Sequence, residues 1–108
     1  MTWSFHWVRW QEEVPAEDGT SKRVWVGSLV EKDIAAQGDD LDNLDYNLKH
    51  LLAGRVVVHK ELGLPGDPFD DVPPPSEDIL KCASSEAIRF EMDGPHIVFH
   101  DGSYFTES

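Results

Sequence analysis

What this sequence has little of narrows it first. One cysteine, Cys82, stands among 108 residues. That excludes an internal disulfide and any zinc site built on several cysteines, and it fits a reducing compartment. Cations are scarce as well: nine Lys and Arg face twenty-one Asp and Glu, for a formal net charge of -12. A field of that sign repels phosphate backbones and anionic membranes, so direct DNA binding is not expected and basic partners are favoured. No apolar run approaches the roughly 20 residues that cross a bilayer. The opening Met1-Thr2-Trp3-Ser4-Phe5-His6 has no charged start followed by an apolar stretch, so neither a membrane span nor a secretory leader is expected, and the expected location is cytoplasmic. No Gly-rich stretch ends in Lys-Ser or Lys-Thr, so Gly27, Gly38 and Gly63 make no phosphate loop.

What is present describes one folded α+β domain over residues 1–108. The composition is 40% hydrophobic and 28% charged, and four Trp with five Phe supply apolar surface that disordered chains lack. From Trp3 to Trp10 apolar and polar residues alternate with the period of a strand, placing Trp3, Phe5 and Trp7 on one face and His6, Val8 and Trp10 on the other. Val24 to Val30 predicts an antiparallel partner, joined through a long polar loop containing Pro15, Glu17, Asp18, Gly19 and Ser21. A short third strand is expected at Ile34 to Ala36. Gly38, Asp39 and Asp40 then stop that strand and open a helix, because an aspartate at the N-cap accepts a bond from orphan amides and opposes the helix dipole. Leu41, Leu44, Leu48, Leu51 and Leu52 recur at helical spacing and predict a face packed on the sheet. The helix is expected to reach Leu62 with Gly63 as its stop, although Gly54 and Val56-Val57-Val58 also allow a kink or an earlier end.

Residues 63–78 contain Pro65, Pro68 and Pro73-Pro74-Pro75, which fix φ and remove amide donors, so an extended irregular connector is expected. Residues 79–108 complete the domain. A short helix is predicted over Glu77 to Ala87, a strand at Ile88 to Met92, and a terminal hairpin in which Asp101-Gly102 turns between His96–His100 and Ser103–Thr106.

No constellation carries chemistry. Trp3 to Trp10 holds no Asp or Glu, and Glu12, Glu13, Glu31 and Asp33 fit solvated edge charges better than a two-metal nuclease site. The five histidines, His6, His50, His59, His96 and His100, show no helical His-x-x-x-His spacing with a third ligand. Ser84-Ser85 beside Cys82 has no local base or oxyanion motif. No catalytic residue, metal or cofactor is therefore assigned. Charge is uneven instead: residues 63–108 carry 2 basic and 10 acidic groups. Asp39, Asp40, Asp42 and Asp45 crowd the helix start, and capping with dipole compensation accounts for two of them. Asp67, Asp70 and Asp71 form a second cluster on the connector. Each cluster is a candidate surface for the Lys and Arg of a basic partner, against the plainer account of a solvated acidic face.

The block running from Trp25-Val26-Gly27 through Gln37-Gly38-Asp39-Asp40-Leu41 to Asn47-Leu48-Lys49, followed by Glu61-Leu62-Gly63, Pro68-Phe69 and Val72-Pro73-Pro74, resembles the HicB antitoxin family over residues 3 to 86. The resemblance implies a partial ribonuclease-H-like fold, an antiparallel β-β-β-α-β core with one long helix on the sheet, here with an extra C-terminal hairpin. It further implies an antitoxin that neutralises a small basic HicA-type ribonuclease by binding it, without catalysis of its own. Residues 87–108 offer no basic helix of the kind many family members use on operators. Two other readings stand beside this one: a structural or adaptor domain forming homo-oligomers without a toxin, through strand one or the terminal hairpin, and an acidic mimic of nucleic acid.

Overall fold

The computed structural model describes residues 2–81, 86–94, 96–102 and 104–106. The elements run β1 (Thr2–Pro15), β2 (Ser21–Leu29), β3 (Ala35–Gly38), α1 (Leu41–Glu61), α2 (Glu77–Leu80), β4 (Glu86–Asp93), β5 (His96–Phe99) and β6 (Tyr104–Thr106). They form one antiparallel sheet in the order β3-β2-β1-β4-β5-β6, with α1 packed on it; the architecture is α+β. No described helix is long and apolar enough to cross a membrane.

The alternation of β1 puts Trp3, Phe5 and Trp7 into the core. Leu29, Ile88, Phe90, Ile97 and Phe99 line the same side of the sheet, and Leu44, Leu48, Leu52, Ala53 and Val56 of α1 close over them. Aromatic rings fill the centre: Trp3 stacks on Phe90 at 5.2 Å, and Phe90 lies 5.0 Å from Phe99. With Trp3 and Trp7 only 6% and 5% exposed, these two tryptophans anchor the core.

Two glycines are required by close approach. A Cβ on Gly27 would meet the Trp7 ring at 2.9 Å and the Leu44 side chain at 3.3 Å, and one on Gly38 would strike the backbone of Leu44. The first lets a tryptophan and a helix leucine meet over β2. The second lets α1 follow β3 with only Asp39 and Asp40 between them.

Helix α1 begins and ends as its terminal residues dictate. The Asp40 carboxylate accepts from the Asn43 amide at 2.7 Å, which satisfies one orphan donor of the first turn, and the Asn43 side chain accepts from the amide of Asp39, one residue before the cap, at 3.1 Å. At the far end Gly63 takes φ 62°, its amide donating to Lys60 and that of Leu64 to His59, the paired bonds of a glycine-stopped helix. Gly54 lies within an unbroken helix.

The connector's length answers a directional problem. At about 1.5 Å per residue, 21 residues of helix carry the chain about 31 Å from the Gly38 end of the sheet toward the Trp3 end. Because β4 runs antiparallel to β1 and pairs Glu86 with Trp7, the chain must turn back. Residues 63–81 contribute to that return, touching the β2–β3 turn where the Asp33 amide donates to Pro73.

Several boundaries differ from expectation. The polar loop between the first two strands is mostly strand: pairing continues to Pro15 opposite Ser21, and only Ala16 to Thr20 turn. Backbone bonds hold this ribbon, with Arg23 and Glu13 paired across it at 3.7 Å, and Gln11 to Pro15 and Ser21 to Arg23 show no apolar alternation to reveal it. The third strand lies one to two residues later than expected and keeps Gln37 and Gly38. The expected helix over Glu77 to Ala87 is cut to Glu77–Leu80, and Glu86 and Ala87 already belong to β4, where tertiary pairing with β1 overrides local helix preference. The candidates Cys82, Ser84 and Ser85 lie outside the described residues. Leu41 and Leu51 are 39% and 47% exposed, contrary to the expected five-leucine face. The buried row is Leu44, Leu48, Leu52 and Val56. Successive members of such a row shift by about 40° around the helix, which leaves Leu51 on the flank.

Candidate functional site

The connector is fastened to both β1 and α1. Phe69 is 1% exposed and enters the core between Phe5 at 5.1 Å and Trp3 at 6.0 Å, both edge to face. Asp67 organises the turn that delivers it: one carboxylate oxygen accepts from the Phe69 amide at 2.9 Å and the other from the Trp3 indole N–H at 2.9 Å. Asp70 accepts from the Asp67 amide at 3.0 Å. From the helix, Arg55 donates through Nε to the Pro68 carbonyl at 2.8 Å and through Nη2 to Asp71 at 2.5 Å. That charge-assisted bond from Arg55 holds the Asp71 carboxyl below its ordinary value.

Between this clamp and the outward face of α1 lies an open groove of about 760 Å³. Leu51, Gly54 and Val58 form its helical floor, and Leu64 with Pro65 forms the opposite apolar wall. Leu51, Val58 and Leu64 are 47%, 53% and 51% exposed, so leucine and valine meet solvent beside carboxylates. Asp67, Asp70 and Asp71 make the rim, and His50 and His59 flank the floor. An apolar depression with a few charged groups at its border is the usual form of a protein recognition site, the apolar part supplying affinity and the charges orientation.

The structure separates the two aspartate clusters. Asp67, Asp70 and Asp71 gather on the groove, whereas Asp39, Asp40, Asp42 and Asp45 remain at the helix start, where Asp45 precedes Arg55 by about 15 Å along the axis. Most of the first cluster has local work. Asp40 caps α1, Asp39 lies 3.4 Å from Lys22, and Asp45 pairs with Lys49 at 2.8 Å; Asp42 sits in the first turn, where its charge opposes the dipole.

A second, polar cleft of about 430 Å³ opens between α1 and the β4–β5 hairpin. Lys49, 4% exposed, reaches into it between Asp45 and Asp101, with its ammonium 5.5 Å from the Phe99 ring. Burial favours the neutral amine, but the bonds Lys49 donates to the Asp101 and Asp45 carboxylates outweigh it and hold Lys49 above its ordinary value. Lys49 thereby ties the Asp101-Gly102 turn to the helix. Across the cleft Arg9 meets Glu86 at 2.7 Å. Among the described residues no group of three or more His, Cys, Asp or Glu converges as a metal site would require.

The groove includes residues that sequence reasoning missed. Arg55 carried no signal, since a lone helical arginine is ordinary. Leu51 was assigned to the core face. The spacing of Leu51, Val58 and Leu62 does show a second apolar row, and it was available in the sequence. In comparisons with known proteins, no family model, no curated protein and no solved structure matches this chain.

Proposed function

We propose that this protein is a HicB-like antitoxin or regulator, with a partial ribonuclease-H-like core, that binds and neutralises a small basic ribonuclease toxin and catalyses nothing itself. The observation that carries this proposal is the groove on α1, where exposed Leu51, Val58 and Leu64 lie beside Asp67, Asp70 and Asp71. Apolar anchors surrounded by carboxylates suit a cationic protein surface, and the charge of -12 would speed its encounter. Covering the Lys and Arg with which such a toxin holds RNA would be enough to inhibit it. The homo-oligomer alternative loses two of its strand-one aromatics, because Trp3 and Trp7 lie in the core, and keeps the half-buried Trp10 and the terminal hairpin.

Co-expression supplies the test. A small Lys/Arg-rich reading frame beside this gene should arrest growth when expressed alone, and this chain should restore growth. The double variant Leu51→Asp/Val58→Asp, folded by circular dichroism, should fail to restore it. Absence of any such toxic neighbour, or full rescue by the double variant, would count against the proposal.

A further inference from the structure

We infer that Gly54 is a docking notch that receives an apolar side chain from a cationic amphipathic helix of the partner. This rests on the binding role proposed above and specifies the element of the partner that the groove takes. A glycine inside a solvent-facing helix lowers its stability relative to alanine, so its presence asks for a reason. The usual intramolecular reasons are missing at this position. Gly54 has no positive φ, a Cβ built on it would meet nothing within 4 Å, and the helix runs through it without a break.

Its neighbours point outward to a partner. Leu51, Gly54, Arg55 and Val58 stand at i, i+3, i+4 and i+7, the four positions that form a hole for a knob from a facing helix. All four line the groove. With no side chain at Gly54 the hole is deepened, so an incoming leucine or methionine can reach close to the helix backbone between Leu51 and Val58. The rim then selects charge: Asp67, Asp70 and Asp71 border the same groove, so the flanks of the incoming helix should carry Lys or Arg. A second copy of this chain is a poor occupant, because facing grooves would oppose the carboxylate rims of two chains each carrying a charge of -12.

The probe is a synthetic 18-residue amphipathic helix with a leucine face and lysine flanks, titrated into the full chain at low salt and followed by backbone amide shifts. Shifts should concentrate on residues 50–59 and 64–71, and a peptide with glutamate in place of lysine should not bind. Gly54→Ala should raise the thermal midpoint by a few degrees through helix propensity. Gly54→Leu should weaken peptide binding about tenfold or more, while Leu41→Ala, at an exposed helix position away from the groove, should leave it unchanged. Equal affinity for Gly54→Leu and the parent overturns the inference, as do shifts confined to the Asp39–Asp45 end or to the sheet. A dimer of the parent chain that Gly54→Leu abolishes overturns it in favour of a second copy. The toxin assay is independent: a toxin neutralised equally by parent and Gly54→Leu sinks the notch and leaves the antitoxin proposal standing.

Discussion

Asp39–Asp45 and Asp67–Asp71 are both short acidic stretches, yet the fold employs them differently. In the first, carboxylates serve the helix that follows: Asp40 caps the Asn43 amide, and Asp45 holds Lys49 four residues on. In the second, Asp67 shapes a turn that drives Phe69 into the core, Asp71 binds Arg55, and the cluster borders an apolar groove. The difference teaches that a run of aspartates says little by its composition. What matters is whether the chain on either side supplies a helix end or a buried anchor, and the second arrangement sets carboxylates on the border of a groove lined by exposed leucine and valine.

The comparison breaks most sharply at Phe69. Phe69→Ala removes the ring between Trp3 and Phe5 and should destabilise the fold by about 3–5 kcal/mol, measured as a lowered urea midpoint. A loss under about 1 kcal/mol would mean that the connector is not anchored as described. Next in size is Lys49→Met. The carboxylates left behind, Asp45 and Asp101, are 42% and 55% exposed and can be hydrated, so the cost should be about 1–2 kcal/mol, below that of stranding a buried charge. Because the folded-state value of Lys49 is raised above 10.5, its contribution is complete below that pH and is lost as pH rises through the higher folded-state value. Parent and Lys49→Met should therefore converge in stability above pH 10.5.

Asp40→Ala should cost about 1 kcal/mol through the lost cap, with no effect on partner binding; weakened binding would move the interface to the helix start. The smallest effect on folding belongs to Asp71→Asn. The depressed value of Asp71, below 3.8, contributes stability above that pH which is lost as pH falls through the lower folded-state value. Near neutral pH the variant should unfold almost as the parent does, but it should flatten the salt dependence of complex formation measured between low and high ionic strength. An unchanged salt slope would remove Asp71 from the interface.

Much of α1 was legible because its signals are local. An aspartate beside the first turn, a glycine past the last and leucines at helical spacing are each explained within about four residues. The strand alternation of Trp3, Phe5 and Trp7 and the Asp-Gly turn of the last hairpin were legible for the same reason, although only Gly102, not Asp101, takes positive φ. The β1–β2 ribbon was hidden because Gln11-Glu12-Glu13 and Ser21-Lys22-Arg23 are polar runs without apolar alternation, even though Gln11 pairs with Trp25 and Glu12 with Val24. Phe69 was hidden because a phenylalanine between prolines and aspartates reads as loop. Of the candidate site, the cluster Asp67, Asp70 and Asp71 was visible as charge. Its groove was not, since a groove exists only once connector and helix lie side by side.

Local preference and alternation, which act through neighbouring residues, determined from the sequence that this chain has a long capped helix, antiparallel strands with an apolar face, and a strongly acidic surface. Tertiary structure alone decided which helix leucines are inward, that Lys49 is buried between Asp45 and Asp101, and that Arg55 and the 67–71 turn enclose an apolar groove. Those outcomes depend on the crossing of α1 over the sheet and on a connector that returns along it. Both are set by packing between residues far apart in the chain, which no local pattern encodes.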